Sequence, residues 1–106
     1  MDEIKLLRLT CGMDIVCEYL NIGNTCFLKN PMTVFMDYEG EESNLIMRHW
    51  SPTELIETNE TIMDAKDILC VFDPTEELIS FYNKVIAEDN ELDSVDDIIE
   101  KNTKLH

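Results

Sequence analysis

Hydrophobic and polar residues alternate along the start of the chain, on both sides of a glycine. In residues 6–19, LLRLTCGMDIVCEY, Leu7 and Leu9 are separated by a polar residue before Gly12, and the alternation resumes from Ile15. A period of two residues is typical of β-strands, and a lone glycine between two such runs indicates a tight turn or a bulge. The pattern therefore predicts a bent β-hairpin, with Gly12 at positive φ or in a bulge.

Further strand-like runs follow the hairpin, each bounded by turn-forming residues. They are residues 25–29, 32–36, 44–50, 61–64 and 68–72. Pro31 separates the first two runs, and because proline lacks a backbone donor we expect it at an edge or a bend. The last run, ILCVF, is apolar throughout, which favours a fully buried strand.

The spacing then changes from strand-like to helical. Asp73 suits the N-cap, Pro74 the first helical position and Glu76 the third, so a helix is predicted to begin at Asp73. Its apolar face consists of Leu78, Phe81, Tyr82 and Val85. Strands followed by a helix predict a mainly β fold over residues 1–87, a small and strongly bent antiparallel sheet with a C-terminal helix. Residues 88–106 are predicted to form an acidic tail, partly helical or disordered.

The composition limits the classes of function. A chain of 106 residues is predicted to be one domain, and a barrel of this size has a marginal core that oligomerisation would stabilise. Acidic residues outnumber basic residues 23 to 8, which gives a net charge of −15. Such a surface repels phosphate, so general nucleic-acid binding is disfavoured.

The sequence contains no sign of catalysis or of a metal centre. Its four cysteines, Cys11, Cys17, Cys26 and Cys70, include no C-x-x-C pair, and we expect them to be reduced thiols in a cytoplasmic protein. The N-terminal MDEIKLL lacks the apolar run of a signal peptide, and no run approaches the length of a membrane span. With no nucleophile–base pair and no glycine-rich phosphate loop, we predict a non-enzymatic protein without a cofactor or membrane association.

These pieces, in this order, resemble the Sm-like (LSm-type) family. The alternation around Gly12 followed by the run 25–29 looks like the first Sm motif, and the run 68–72 after a tight turn looks like the second. Small phage- and virus-type members are closer still, because they share three segments. These are Lys29-Asn30-Pro31, Trp50-Ser51-Pro52 and Pro74-Thr75-Glu76-Glu77-Leu78. The resemblance implies a five-stranded, strongly bent barrel, a ring of about five to seven copies and, for a phage protein, the host cytoplasm.

The resemblance also implies a ligand, because many family members bind single-stranded RNA around the pore. They do so through a polar residue of the third strand and a basic turn before the last strand. Here the third-strand position falls near Phe27 or Leu28, and the turn of residues 63–67 offers Lys66 between two aspartates. The candidate RNA contacts are Lys66, Lys29, Arg48 and Trp50. The candidate structural residues are Gly12, Pro31, Trp50 and Asp73.

Two hypotheses for function follow from the sequence. The first is a ring-forming Sm-like protein that binds single-stranded RNA at the pore face. The second is an acidic structural or regulatory module that binds a protein partner and has no nucleic-acid role. Salt separates the two, since a site for phosphate weakens as the salt concentration rises.

Overall fold

The computed structural model describes residues 3–38 and 44–88, which contain six strands and one helix. The elements are β1 (Glu3–Leu9), β2 (Asp14–Ile22), β3 (Thr25–Asp37), β4 (Asn44–His49), β5 (Glu60–Asp64), β6 (Ile68–Phe72) and α1 (residues 76–88). A 3-10 turn, Ala65–Asp67, joins β5 to β6. The chain forms two compact units, Met1–Pro74, which holds the strands, and Thr75–His106, which holds α1.

The first unit is an antiparallel sheet with the strand order β4-β3-β2-β1-β6, and β5 pairs with β3 outside this order. The mainly β architecture, the antiparallel pairing and the C-terminal helix confirm the predicted fold class. Two features differ from the predicted five-stranded barrel. The sheet has six strands, and among the described residues no pairing joins β6 to β4 or β5, so the sheet is not a closed barrel.

The additional strand arises because one edge of β3 is paired twice. β4 pairs with the second half of β3 and ends at His49, opposite Met32. β5 pairs with the first half of β3 and begins at Glu60, opposite Lys29. Residues 50–59 leave the sheet between these points, so β4 and β5 lie in succession along one side of β3.

A β-bulge divides β3 into these two halves. Asn30 and Pro31 stand opposite the single residue Cys17 of β2, where the register shifts. Asn30 adopts the left-handed conformation, with φ of 49°, which asparagine tolerates better than most residues. Pro31 is buried at this bend, where its missing N–H fits the interrupted ladder. The extra residue also moves the core-facing positions of β3 from even to odd numbers.

Val16 and its cross-strand partner Met32 are buried on one face of the sheet. The main core cluster lies on the opposite face and consists of Leu7, Leu9, Ile15, Cys17, Cys26 and Leu28. Most of these are the apolar members of the alternating runs, and Trp50 packs against them from the start of the loop 50–59. Gly12, in the turn between β1 and β2, has φ of 93°, a conformation that glycine adopts without strain.

The second unit begins with the N-cap of α1, and the cap is Thr75. Its Oγ1 accepts a hydrogen bond from the Leu78 N–H at 3.1 Å, and its carbonyl accepts one from the Ile79 N–H at 3.0 Å. The prediction that Asp73 caps the helix is therefore wrong. The Asp73 carboxylate forms an ion pair with Lys5 of β1 instead.

The predicted apolar face of α1 is covered to different extents. Tyr82 is buried, and Leu78, Phe81 and Val85 are half-buried. The described part of the helix ends at residue 88, where the acidic tail was predicted to begin, and residues 89–106 lie outside the described residues. Within the described part of the chain, no helix has the length and apolar character needed to cross a membrane.

Candidate interaction surface

The sheet has two edges that lack a strand partner among the described residues. β4 and β6 stand at opposite ends of the strand order, and β5 pairs on one side only. Unpaired edges present backbone N–H and C=O groups that can pair with another chain. We call these surfaces the β6 edge (Ile68–Phe72) and the β4/β5 edge (Asn44–His49 with Glu60–Asp64).

The β6 edge leaves part of the core face uncovered. Val71 pairs with Leu7, and because directly paired residues point to the same face, both side chains lie on the core face. Leu7 is 0% exposed whereas Val71 is 47% exposed. The prediction that this apolar run is a fully buried strand is therefore wrong, because β6 is the last strand and nothing described lies beyond it.

No charged residue interrupts β6, which reads ILCVF. Its exposed large apolar side chains are Leu69, Val71 and Phe72. The other side of the strand is held firmly to β1, where the Arg8 guanidinium lies 5.8 Å from the centre of the Phe72 ring. An uncharged, apolar edge on a fixed strand is a template for the addition of another strand.

The β4/β5 edge is kept continuous by bonds at the base of the loop 50–59. The Trp50 N–H donates to the Pro31 carbonyl at 3.2 Å, and the Asn30 N–H donates to the Asn59 carbonyl at 2.8 Å. Both ends of the loop are thus tied to the bulge of β3. Sequence reasoning missed this arrangement, although Asn30-Pro31 and Trp50-Ser51-Pro52 each interrupt a strand and were the available signal.

The four predicted RNA contacts do not form one cluster, although Lys29 and Trp50 line two cavities with shared lining residues. Lys66 follows the end of β5 that pairs with Thr25, whereas Arg48 of β4 pairs with Thr33. About eight residues of β3 separate these positions, roughly 26 Å along an extended strand. Trp50 is half-buried against the core, so its ring serves packing.

Carboxylates surround the two candidate lysines of this set. Lys29 is exposed on β3, with Glu18 and Glu60 as its two cross-strand partners. The backbone N–H of Lys66 donates to the Asp64 carboxylate at 3.0 Å, and Asp67 is exposed in the same turn. Each lysine is therefore accompanied by two acidic residues in its row or turn, which lowers the local attraction for phosphate.

The two cations of β1 are engaged by carboxylates. Arg8 donates to both carboxylate oxygens of Asp14, at 2.8 and 3.0 Å, and these hydrogen bonds raise the pKa of Arg8. Lys5 is paired with Asp73 and, at 3.2 Å, with Glu3, and the hydrogen bond to Asp73 is the main cause of the raised pKa of Lys5. These groups fasten β1 to its neighbours and are not placed to collect an anionic ligand.

The described residues leave two strand edges open to a partner chain. Among them, no group of three or more His, Cys, Asp and Glu side chains is placed to hold a metal ion. No protein-family model matches the chain, and it matches none of the curated proteins with which it was compared. The two open edges therefore carry the argument for function.

Proposed function

We propose that the protein is a non-enzymatic Sm-like module whose copies join edge to edge in a closed homo-oligomeric ring. The observation that carries this proposal is Val71, a core-face side chain left 47% exposed at the end of the sheet. A strand from a second copy, paired along the β6 edge, would bury it. Burial of an exposed valine and its neighbours supplies the apolar contribution that a small core lacks.

The position of the edges favours a ring over a symmetric dimer. The β6 edge and the β4/β5 edge lie at opposite sides of one sheet, so β6 of each copy meets a different surface on the next. Such a heterologous contact closes into a ring when the rotation per copy permits. β5 and β6 contain five residues each, which makes them matched partners, and the resemblance to the Sm-like family implies the same use of the last two strands.

The mass of the protein in solution tests the ring. Native mass spectrometry and sedimentation should show one closed oligomer for the wild type, and Leu69→Lys should convert it to monomer, because a charge on β6 opposes strand addition. Leu55→Lys is the matched control, since Leu55 is also exposed but lies in the loop 50–59. Circular dichroism establishes that both variants are folded. A monomeric wild type at micromolar concentration would reject the ring.

Single-stranded RNA at the pore is the ligand that the family resemblance suggests, with Lys66 as its contact. The turn Ala65–Asp67 lies between the two strands that would form the ring contact, so a ring repeats Lys66 once per copy. Salt screens the electrostatic field of each charge beyond about 10 Å at ordinary ionic strength. A local ring of lysines can therefore attract phosphate despite the net charge of −15. Asp64 and Asp67 offset much of the positive charge of this lysine ring, and RNA binding is therefore expected to be weak.

Titration with oligo-U and oligo-A tests this ligand. Wild-type binding should weaken as salt rises and should weaken further in Lys66→Ala. Lys84→Ala is the matched control, because Lys84 is an exposed lysine of α1. Absence of wild-type binding at low salt would reject RNA, and equal binding by wild type and Lys66→Ala would reject Lys66 as the contact.

A further inference from the structure

A second exposed apolar surface lies on the face of the sheet opposite the core. Leu20 of β2 pairs with Phe27 of β3, and Phe27 pairs with Ile62 of β5, so the three side chains form one row across three strands. They are 36%, 39% and 66% exposed. Ile22 is also exposed, two residues further along β2 and on the same face. We call these four residues the outer patch.

Acidic residues flank the outer patch along the strands, and one of them shares a row with Ile22. On one side stand Glu18, Lys29 and Glu60, paired in that order across β2, β3 and β5. On the other side Asp64 is paired with Thr25. Three carboxylates thus border the patch, against Lys29 in the first row and Lys66 in the turn after Asp64.

The patch continues into a groove at its β5 side. A cavity of about 330 Å³ lies along β3 and β5 and is lined by Phe27, Leu28, Lys29, Glu60, Thr61 and Ile62. A second cavity of about 250 Å³ adjoins it, shares Glu60 and Thr61, and extends to Trp50 and Ile56. Both cavities are lined in part by apolar side chains and share the Glu60 carboxylate.

We propose that the outer patch and its groove bind a protein segment in which apolar side chains alternate with Lys or Arg. Apolar side chains of such a segment fill the row Leu20–Phe27–Ile62, and its cations meet Glu18, Glu60 and Asp64, so both features of the surface are used. A second copy of this chain does not fit here, because it would place one acidic border against another. Nucleic acid does not fit, because phosphates would meet the same carboxylates.

This inference goes beyond the ring, because strand pairing uses the backbone edge of β5 whereas docking uses the side chains that β2, β3 and β5 present on one face. Each protomer carries one outer patch, so a ring would present several to the same partner and raise its apparent affinity. A protomer that cannot assemble should still bind one segment, with lower avidity. Failure of the ring and failure of the docking site are therefore distinguishable.

A synthetic peptide of about eight residues that alternates Lys and Leu is a suitable probe. Titration by fluorescence anisotropy should show binding that salt weakens, and a peptide of alternating Glu and Leu should not bind. A peptide of alternating Lys and Ser separates groove binding from general attraction to an acidic protein. Equal binding of the Lys–Leu and Lys–Ser peptides would overturn the proposal, and so would binding of the Glu–Leu peptide.

Variants locate the site. Ile62→Ser should weaken binding of the Lys–Leu peptide by about tenfold or more, and Leu55→Ser, at another exposed leucine, should leave it unchanged. Glu60→Gln keeps the shape and removes a charge, so it should weaken binding and flatten its salt dependence even if Ile62→Ser folds poorly. Leu69→Lys, which opens the ring, should still bind the peptide. Unchanged affinity in both Ile62→Ser and Glu60→Gln, or displacement of the peptide by oligo-U, would overturn the assignment.

Discussion

The two halves of β3 are similarly apolar and have different surroundings. The first half, Thr25–Lys29, is paired on both sides, with β2 and with β5. In the second half the pairing with β2 ends at Thr33, so residues 34–37 pair with β4 alone. Leu28 and Phe35 lie on the same face, one in each half, yet Leu28 is 1% exposed and Phe35 is 48% exposed.

On the core face, this difference in burial follows the number of flanking strands, because both residues are large and apolar. Residues 34–37 and 44–47 form a two-stranded arm, with Val34, Phe35 and Met36 opposite Met47, Ile46 and Leu45. Both faces of this arm are therefore apolar. A two-stranded ribbon is marginally stable by itself, so the arm should open more readily than the sheet.

The largest expected effect is the loss of a buried side chain from the first half of β3. Leu28→Ala should lower the free energy of unfolding by about 2–5 kcal/mol, because it leaves a cavity in the core. Phe35→Ala, in the arm, should cost about 1 kcal/mol or less, because the ring remains largely in water. Urea denaturation at one fixed protein concentration measures both. Similar losses for the two variants would contradict the comparison.

Alkaline pH tests the covered region through Cys17, which lies opposite the bulge. Burial raises the pKa of the Cys17 thiol to about 12 from an ordinary value of 9.0. The unfolded chain therefore releases this proton first, and stability should fall as pH rises from about 9 towards 12, by up to about 1.4 kcal/mol per pH unit. Tyr19, whose pKa burial also raises to about 12, adds to the fall above its ordinary value of 10.0.

Unfolding by urea at pH 8, 9 and 10 measures this dependence at roughly one-unit steps. Cys17→Ala should reduce the fall in the free energy of unfolding between the two higher pH values. Cys11→Ala, at an exposed cysteine, should leave the slope as it is in the wild type. A wild-type stability that does not change over this range would show that the Cys17 thiol is not shielded from solvent.

Sequence patterns predicted the positions of the strands well, but they predicted poorly which strands and side chains each segment contacts. The alternation around Gly12 and the run 25–29 are local signals, and the structure has strands in both places. The run 68–72 indicates compatibility with burial, but whether β6 is covered depends on strands that are distant in sequence or belong to another copy. The helix cap shows the same limit, because Asp73 is a good cap residue locally and its actual partner, Lys5, lies 68 positions earlier.

The candidate site was less predictable than the fold. Lys29, Lys66 and Arg48 were selected as cations, and the sequence cannot show that they lie far apart or beside carboxylates. The outer patch depends on registers across β2, β3 and β5, which no local pattern specifies. The interruption at Asn30-Pro31 predicted a bend there, and the change of partners along β3 was not predicted.

A smaller effect is expected at the bulge that separates the two halves of β3. Asn30→Val should lower the free energy of unfolding by about 1–2 kcal/mol, since a β-branched residue resists the φ of 49° observed here. Asn30→Gly is the matched control, because glycine accepts this φ and both variants lose the 3.3 Å hydrogen bond from Asn30 to Glu18. Equal losses in the two variants would show that the side-chain bond, and not the backbone conformation, maintains the bulge.

The smallest effect is expected at the start of α1, and it distinguishes the observed cap from the one that the sequence suggested. Thr75→Ala should cost about 1 kcal/mol, because the Leu78 N–H loses its acceptor at the end of the helix. Asp73→Ala should change helix stability little, because its carboxylate is 86% exposed and pairs with Lys5 on β1, and exposed ion pairs contribute little. Amide hydrogen exchange over residues 76–82 reports the cap directly, with faster exchange expected only in Thr75→Ala. Faster exchange in Asp73→Ala alone would show that Asp73, and not Thr75, is the N-cap of α1.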